Sequence, residues 1–136
     1  MRQLVVAAEP VQLTVLARFA ALAAEDAGFE PMLRDRIELA MDEACSNIIE
    51  HAYARRAGKI SVCAEIQPKR VLVIKLVDQG ESFVPEQVAQ YEPANDPRNA
   101  RIGGLGLYLM RTVMDEIRFE FDVPGIGNRL TMIKRI

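Results

Sequence analysis

Three short, widely separated groups of residues in this chain are suited to chemistry. Glu43 and Asn47 stand four positions apart, so on a helix their side chains share one face. Asp78 closes a hydrophobic run, and glycines cluster at 103–106. An asparagine amide oxygen suits a hard cation such as magnesium, and a glutamate carboxylate can polarise a hydroxyl nucleophile. In this order the three groups predict a nucleotide pocket assembled from separate segments.

Asp78 is the sharpest of these signals. If its strand continues, the side chain projects to the same side as Leu72, Ile74 and Leu76. A carboxylate at the end of an apolar row needs a partner because burying it alone is costly, and the exocyclic amine of adenine fits. Gly80 then lets the backbone approach a flat ring closely. The alternative is an ordinary Asp-x-Gly turn at the end of a strand.

The glycine-rich segment predicts the start of a helix that faces phosphate, because glycines allow close approach and free amides at a helix start attract anions. It is not a P-loop, since the Gly-Lys-Ser/Thr ending is missing, and it does not fit the dinucleotide fingerprint. Arg101 precedes the segment and could reach a terminal phosphate. A flexible hinge and a solvated arginine are the alternatives. The segment consists of Gly103, Gly104, Leu105, Gly106 and Leu107.

An ordinary amphipathic helix also explains Glu43 and Asn47. With the helix core centred near Ile37 and Ile48, Asn47 falls on the flank of the apolar stripe and Glu43 lies nearer the polar face. A surface glutamate and a half-exposed asparagine are the simpler interpretation of this pair alone. His51 lies one turn beyond Asn47, and a lone histidine near an apolar face is more often a packing residue than a catalytic one.

Length and composition narrow the class of protein. The 136 residues correspond to one domain, and a hydrophobic fraction of 50% argues against disorder. The net charge is −2 without a long basic run, so nucleic acid is not an expected partner. Cys45 and Cys63 lack motif spacing and only one histidine is present, so a zinc site is not expected. No signal peptide or membrane-spanning run is apparent, which predicts a cytoplasmic protein.

The elements that position these groups follow from periodicity and helix breakers. Strands are predicted at residues 4–8, 59–66, 71–77, 117–123 and 128–136, and helices at 11–27, about 32–54 and 104–115. Between Gly80 and the last helix, the pattern dissolves into a long loop with three prolines. Because strands come in adjacent pairs, the order predicts an α+β two-layer sandwich. Its mixed, mostly antiparallel sheet is covered by helices on one face.

At these residues the chain closely resembles the bacterial anti-sigma-factor serine kinases. They are small members of the ATPase superfamily that includes gyrase, histidine kinases and MutL. The asparagine box of that family resembles MDEACSNIIEHAY, and its first glycine box resembles LVDQGESF. The second glycine box resembles GGLGLYLMRTVMDEIRF, and the closing strand resembles GNRLTMIKRI. Three boxes in order, covering nearly the whole chain, form a specific pattern.

The resemblance implies a Bergerat-type ATP-binding fold with ATP and Mg²⁺ as ligands. It implies one histidine-kinase-like ATPase domain over residues 1–136, with a mobile lid at about 81–102. Glu43 matches the catalytic glutamate of the family, and Asn47 matches its magnesium ligand. Asp78 matches the aspartate that binds adenine.

Further site residues come from the same resemblance. Gly104 and Gly106 match the glycines of the phosphate loop, whereas Thr131 is a loose match to a threonine near the adenine. A phosphoacceptor histidine domain is missing, so His51 is not expected to be an autophosphorylation site. The predicted cofactor-binding residues are Asn47, Asp78, Gly80, Arg101, Gly104, Leu105, Gly106, Leu107 and Thr131.

The function implied by the resemblance is that of an anti-sigma factor which is also an ATP-dependent serine/threonine kinase. It would phosphorylate a STAS-type anti-sigma factor antagonist in a partner-switching system, with Glu43 taking or orienting the hydroxyl proton. A homodimer is also implied. Two alternatives remain open: a nucleotide-sensing binding module with little or no kinase activity, and a partner switch whose client is not a sigma factor.

Overall fold

The computed structural model describes residues 1–85 and 104–136. A 3₁₀ turn at Pro10–Gln12 precedes the first helix, and a π-helical turn at Ile48–Ala52 follows the second. Within the described ranges, no helix has the length and apolar character needed to cross a membrane. The strands are β1 (Arg2–Ala7), β2 (Lys59–Gln67), β3 (Val71–Asp78), β4 (Glu116–Val123) and β5 (Gly127–Lys134). The helices are α1 (Leu13–Asp26), α2 (Pro31–Asn47) and α3 (Gly104–Val113).

The strands form one sheet in the order β1-β2-β3-β5-β4. The predicted mostly antiparallel sheet is confirmed, and it departs from a mixed sheet because all four neighbouring pairs of described strands are antiparallel. The physical reason lies in the connection through α3, which carries the chain from β3 to the edge position of β4. Strand β5 then folds back into the gap and separates β3 from β4, which run in the same direction.

Alternation along β3 distinguishes the two faces of the sheet. Leu72, Ile74 and Leu76 are fully buried on the side of the helices, whereas Lys75 between them is exposed on the other side. Full burial of such an aliphatic side chain contributes about 1.5–3 kcal/mol. The helices and one sheet face share this core, so the predicted α+β two-layer sandwich is confirmed. Fully buried residues from the helices include Leu16, Ile37, Met41 and Met110.

Helix α1 ends in a glycine turn that redirects the chain into α2. The N–H of Gly28 donates to the carbonyl of Glu25, and the N–H of Phe29 donates to the carbonyl of Ala24. This pattern requires a left-handed residue at the position of Gly28, whose φ is +82°. Phe29 is buried immediately afterwards, and Pro31 lies in the first turn of α2, where a missing N–H causes no loss.

The second helix is shorter than the sequence predicts. A continuous helix was expected over about 32–54, but α2 ends at Asn47 and a π-helical turn occupies Ile48–Ala52. The N–H of Glu81, just beyond β3, donates to the carbonyl of Ala52 at 2.7 Å. The wider turn thus brings the end of the helical segment to the end of β3, where the predicted site residues lie.

Candidate functional site

Buried polar side chains of the described residues concentrate at one end of the sandwich. Asn47 is 8% exposed, and Asp78 and Asn128 are each 4% exposed. All three line one cleft between the end of α2 and strands β3, β5 and β4, with about 320 Å³ of space, part of it open to solvent. Its apolar walls are formed by Ala44, Ile48, Phe83, Met110, Phe119, Phe121 and Leu130.

Asp78 is bonded on one side only. Its Oδ1 accepts the backbone N–H of Gly80 at 2.8 Å and the side-chain Nδ2 of Asn128 at 2.9 Å. In the part of the chain that the structure describes, no donor is recorded on Oδ2. One carboxylate oxygen is therefore fixed by the protein, and the other is available to a hydrogen-bond donor from a ligand.

Burial also perturbs the charge of Asp78. Its pKa is raised above the ordinary aspartate value because burial disfavours the ionised form. The hydrogen bonds from Asn128 and from the N–H of Gly80 act in the opposite direction and lower the pKa by less. A donor arriving at Oδ2 would stabilise the carboxylate further.

Asn128 connects three segments around Asp78, and sequence reasoning missed it. The two residues are directly paired across β3 and β5. The Nδ2 of Asn128 also donates to the carbonyl of Gly80 at 3.0 Å, and its Oδ1 accepts the N–H of Asp122 at 3.1 Å. Asp122 has a φ of +53° and lies within a bulge of β4, which turns its N–H toward Asn128.

Tyr53 supports the turn that follows Asp78, and sequence reasoning missed this residue as well. Its hydroxyl accepts the N–H of Gln79 at 2.9 Å and donates to the carbonyl of Lys59 at 2.6 Å. A Cβ at Gly58 would lie 2.2 Å from the tyrosine ring, so only glycine lets the chain pass there. The aromatic residue at the end of the asparagine box was the available sequence signal.

Gly80 has a packing reason to be a glycine that the sequence did not indicate. A Cβ at this position would lie 2.5 Å from the backbone of Ala52. The close approach of a flat ligand ring to Gly80 stays a prediction. The chain after Asp78 is pressed against the π-helical turn, and a side chain would separate the two segments. The contact explains why the turn that carries the carboxylate is tight.

Glu43 and Gly106 come together across α2 and α3. A Cβ at Gly106 would lie 2.6 Å from Oε2 of Glu43, so the missing side chain makes room for the carboxylate. Glu43 is half-buried, and burial raises its pKa, with a smaller contribution from the charge of Asp42. A carboxylate with a raised pKa beside a helix start is suited to accept a proton.

Asn47 ends α2 inside the cleft. No hydrogen bond to its side chain is recorded among residues 1–85 and 104–136, although the residue is almost completely buried. Its oxygen is therefore available to a ligand or a metal ion.

The structure does not bring Thr131 to the cleft. Thr131 of β5 lies directly opposite Lys75 of β3, and both side chains point away from the helices. Asn128 and Leu130 line the cleft instead. An odd number of positions separates Thr131 from Asn128, so the two side chains lie on opposite faces. The sequence match placed the polar residue of β5 on the wrong side of the sheet.

The remaining predicted residues are only partly described. Gly104 is the first residue of α3, and Leu107 is 5% exposed within that helix. Arg101, Gly103 and most of the predicted lid lie outside the described residues, as does the side chain of Leu105.

His51 belongs to an aromatic cluster at the mouth of the cleft. Its ring centroid lies 5.9 Å from that of Phe83, which in turn meets Phe121 edge to face at 5.4 Å. Such aromatic pairs contribute about 0.5–1.5 kcal/mol beyond the area they bury. His51 therefore has a packing role in the described contacts, as the sequence suggested.

Known families and proteins resemble this chain over most of its length. The family described as Histidine kinase-like ATPase domain matches residues 6–134. The serine-protein kinase RsbW of Bacillus licheniformis is 38% identical over 91 residues, which are 63% of this chain and 56% of that protein. RsbW of Staphylococcus epidermidis is 37% identical over 105 residues, 73% of this chain and 64% of that protein. This chain thus covers less than two thirds of either relative.

Solved structures support the fold. A histidine kinase domain from the Erythrobacter litoralis blue-light activated histidine kinase EL346 superposes with a TM-score of 0.52. The superposition covers 90% of this chain and 59% of that domain, at 17% sequence identity. At this identity the likeness concerns the arrangement of helices and strands alone.

Proposed function

This chain belongs to the histidine kinase-like ATPase domain family, and on that premise we propose that it is an ATP-dependent serine/threonine protein kinase. The observation that carries the proposal concerns two side chains of the cleft: among the described residues, Asp78 has a recorded donor on Oδ1 alone and Asn47 has no recorded side-chain hydrogen bond. Mg-ATP would supply a hydrogen-bond donor to Asp78 and a metal ion to Asn47.

Asp78 is the proposed adenine ligand. An ionised carboxylate oxygen accepts hydrogen bonds and cannot donate them, so Oδ2 suits the exocyclic amine of adenine. The apolar walls of the cleft, with Ile48, Met110 and Leu130 among them, suit the flat face of the base. The raised pKa of Asp78 in the free protein is consistent with a site that gains a donor on binding.

Asn47 is the residue that would hold a magnesium ion. Its amide oxygen is a hard ligand, and within the described residues it has no competing hydrogen bond. Magnesium usually takes few protein ligands and completes its shell with water and substrate phosphates, so a single amide is sufficient. The bound ion would neutralise charge on the phosphates during transfer.

Glu43 is the proposed catalytic carboxylate. It lies one helical turn before Asn47, and its raised pKa favours accepting the proton of a substrate hydroxyl. Gly106 leaves room for it beside the start of α3, where free backbone N–H groups favour phosphate. Gly104 and Gly106 would let the phosphate chain lie close to this backbone.

The proposed substrate is a serine or threonine of a STAS-type anti-sigma factor antagonist. Relatives named serine-protein kinase support the hydroxyl acceptor. Phosphorylation would release the antagonist and leave this protein free to hold a sigma factor, as in other partner-switching systems. A homodimer is part of the same proposal.

Incubation of radiolabelled ATP with a cognate antagonist tests the proposal. The Glu43→Gln variant keeps the size of the side chain and removes its basicity, so we expect label transfer to fall about 100-fold or more. Its ATP affinity should stay within about threefold of wild type, since Glu43 is not a proposed nucleotide ligand. Asp35→Asn, an exposed change on the same helix, is the matched control.

Three results would overturn parts of this proposal. Unchanged transfer by Glu43→Gln would remove the catalytic role of that carboxylate. Nucleotide binding by wild type without any transfer to the antagonist would favour the nucleotide-sensing binding module instead. Co-purification of a client other than a sigma factor would favour the third possibility.

A further inference from the structure

Both polar atoms of the Asn128 side-chain amide form hydrogen bonds within the site. Nδ2 donates to Oδ1 of Asp78 and to the carbonyl of Gly80, and Oδ1 accepts the N–H of Asp122. A buried asparagine with bonds to three separate segments has a fixed orientation. It can therefore impose that orientation on Asp78, which has no other side-chain partner among the described residues.

The hydrogen bonds from Asn128 and Gly80 determine which oxygen of Asp78 is left for a ligand. Both donors end on Oδ1, so a proton bound by Asp78 would reside on Oδ2. An ionised carboxylate presents Oδ2 as an acceptor, which suits a 6-amino purine. A protonated carboxyl group would present a donor there, which suits a 6-keto purine.

The two forms of Asp78 are held in balance by identifiable groups. Burial raises the pKa, and the bonds from Asn128 and Gly80 oppose that effect. Few other charges face the group. Glu120 of β4 and Arg129 of β5 are bonded to each other at 2.9 Å, and strand alternation places both side chains on the sheet face away from Asp78.

Four further charged or titratable groups on the neighbouring elements either lie on the opposite face of the sheet or contact residues other than Asp78. Lys75 of β3 lies on the opposite face of the sheet, and His51 packs against Phe83. Glu43 of α2 lies against Gly106, and Glu81 pairs with Arg56. Asn128 is thus the side chain that favours the ionised form of Asp78.

We propose that Asn128 is a positioning residue for base selection: its hydrogen bond to Oδ1 keeps Oδ2 of Asp78 an acceptor and so favours adenine over 6-keto purines. The inference rests on the proposed ATP site at Asp78. It goes beyond that site by assigning the discrimination between purines to a residue that acts through Asp78.

Calorimetric binding of Mg-ATP and Mg-ITP tests the inference, since the two nucleotides differ at the 6-position of the base. Wild type should prefer ATP by at least about tenfold. Asn128→Leu removes the donor at similar volume, so the ratio should fall to about threefold or less at neutral pH. Because the protonated form of Asp78 gains population in the variant, the ratio should fall further as the pH is lowered.

A purely structural role for Asn128 would weaken both nucleotides equally and leave their ratio and its pH dependence unchanged. That result in Asn128→Leu would overturn the inference while leaving ATP binding in place. Met132→Leu, a volume-conserving core change on the same face of β5, is the control and should keep the wild-type ratio. If Asn128→Leu does not fold, Asn128→Ala carries the same expectation. Failure of wild type to bind either nucleotide would remove the proposed function itself.

Discussion

The two ends of the sandwich differ in the exposure and the hydrogen bonding of their polar side chains. At the end formed by the β2–β3 turn, the guanidinium of Arg70 donates to the carbonyls of Ala27 and Gly28, each at 3.1 Å. Asp115 nearby accepts both Lys134 and the backbone N–H of Arg135. At the cleft end, Asp78 keeps an oxygen without a recorded donor. The comparison teaches that a buried carboxylate with incomplete hydrogen bonding distinguishes the cleft end from the turn end, where the corresponding charged groups are exposed.

The difference has an energetic meaning. Bonds at the turn end satisfy the carbonyls that every helix leaves unpaired at its end, so they stabilise the fold. The ionised carboxylate at the cleft end is unfavourable in the free protein, because burial raises its pKa. Binding of a donor would recover that loss, which links stability to occupancy of the site.

The largest effect is expected for Asp78→Asn. The variant keeps an acceptor for Gly80 and Asn128 but places an amide N–H₂ where the base needs an acceptor. ATP affinity, measured by calorimetry, should fall about 100-fold or more.

The same variant should be at least as stable as wild type when free of nucleotide at neutral pH. A carboxyl group whose pKa is raised by folding destabilises the native state while it is ionised, and the penalty vanishes as pH falls through the folded pKa. The advantage of Asp78→Asn in thermal unfolding should therefore shrink toward acid pH. An advantage that grows on acidification would contradict the assignment of a raised pKa.

Gly106→Ala should also lower activity without lowering stability. Alanine favours a helix interior over glycine by about 0.5–1 kcal/mol, so the unfolding midpoint should hold or rise. The new Cβ would displace the carboxylate of Glu43, and phosphoryl transfer should fall about tenfold. In a Glu43→Gln background the same change should cost little further transfer, and full additivity would contradict the contact.

Arg70→Ala probes the opposite end. Loss of its two hydrogen bonds should lower the free energy of unfolding by about 0.5–1.5 kcal/mol per bond, while ATP affinity stays unchanged. Lys69→Ala is a matched control, because it lies in the same turn with a similar positive φ and has no recorded side-chain contact among the described residues. A loss of ATP affinity in Arg70→Ala would show that the two ends are coupled.

The smallest effect is expected for Thr131→Val, which keeps the shape of the side chain and removes its hydroxyl. Since the residue lies on the sheet face away from the cleft, ATP affinity should change less than about twofold. A larger loss in calorimetry would restore the role that the sequence match gave to Thr131.

Local patterns predicted the positions of the helices and strands well. The alternation of Leu72, Ile74 and Leu76 correctly placed Asp78 on the helix-facing side of β3, because strand periodicity acts over a few residues. The order of neighbouring strands in the sheet could not be predicted from such local patterns. Insertion of β5 between β3 and β4 depends on long-range pairing that no short window of sequence contains.

The candidate site shows the same division between local and long-range information. Glu43, Asn47 and Asp78 were found from residue types and spacing, whereas Asn128 depends on the register of β5 against β3. A shift of three positions, from Asn128 to Thr131, reverses the face of the strand. The packing reason for Gly80 was equally hidden, since it involves the backbone of a turn far away in sequence.

The π-helical turn at Ile48–Ala52 limits how this region can change by insertion or deletion. A π turn holds one more residue than an α turn, so removing one residue would let the helix close regularly. Such a deletion would turn everything after it by about 100° around the helix axis. The carbonyl of Ala52 would then no longer accept the N–H of Glu81, and the close contact between Gly80 and the backbone of Ala52 would be lost. The spacing from Asn47 to Tyr53 is thus a length constraint, independent of which side chains fill it.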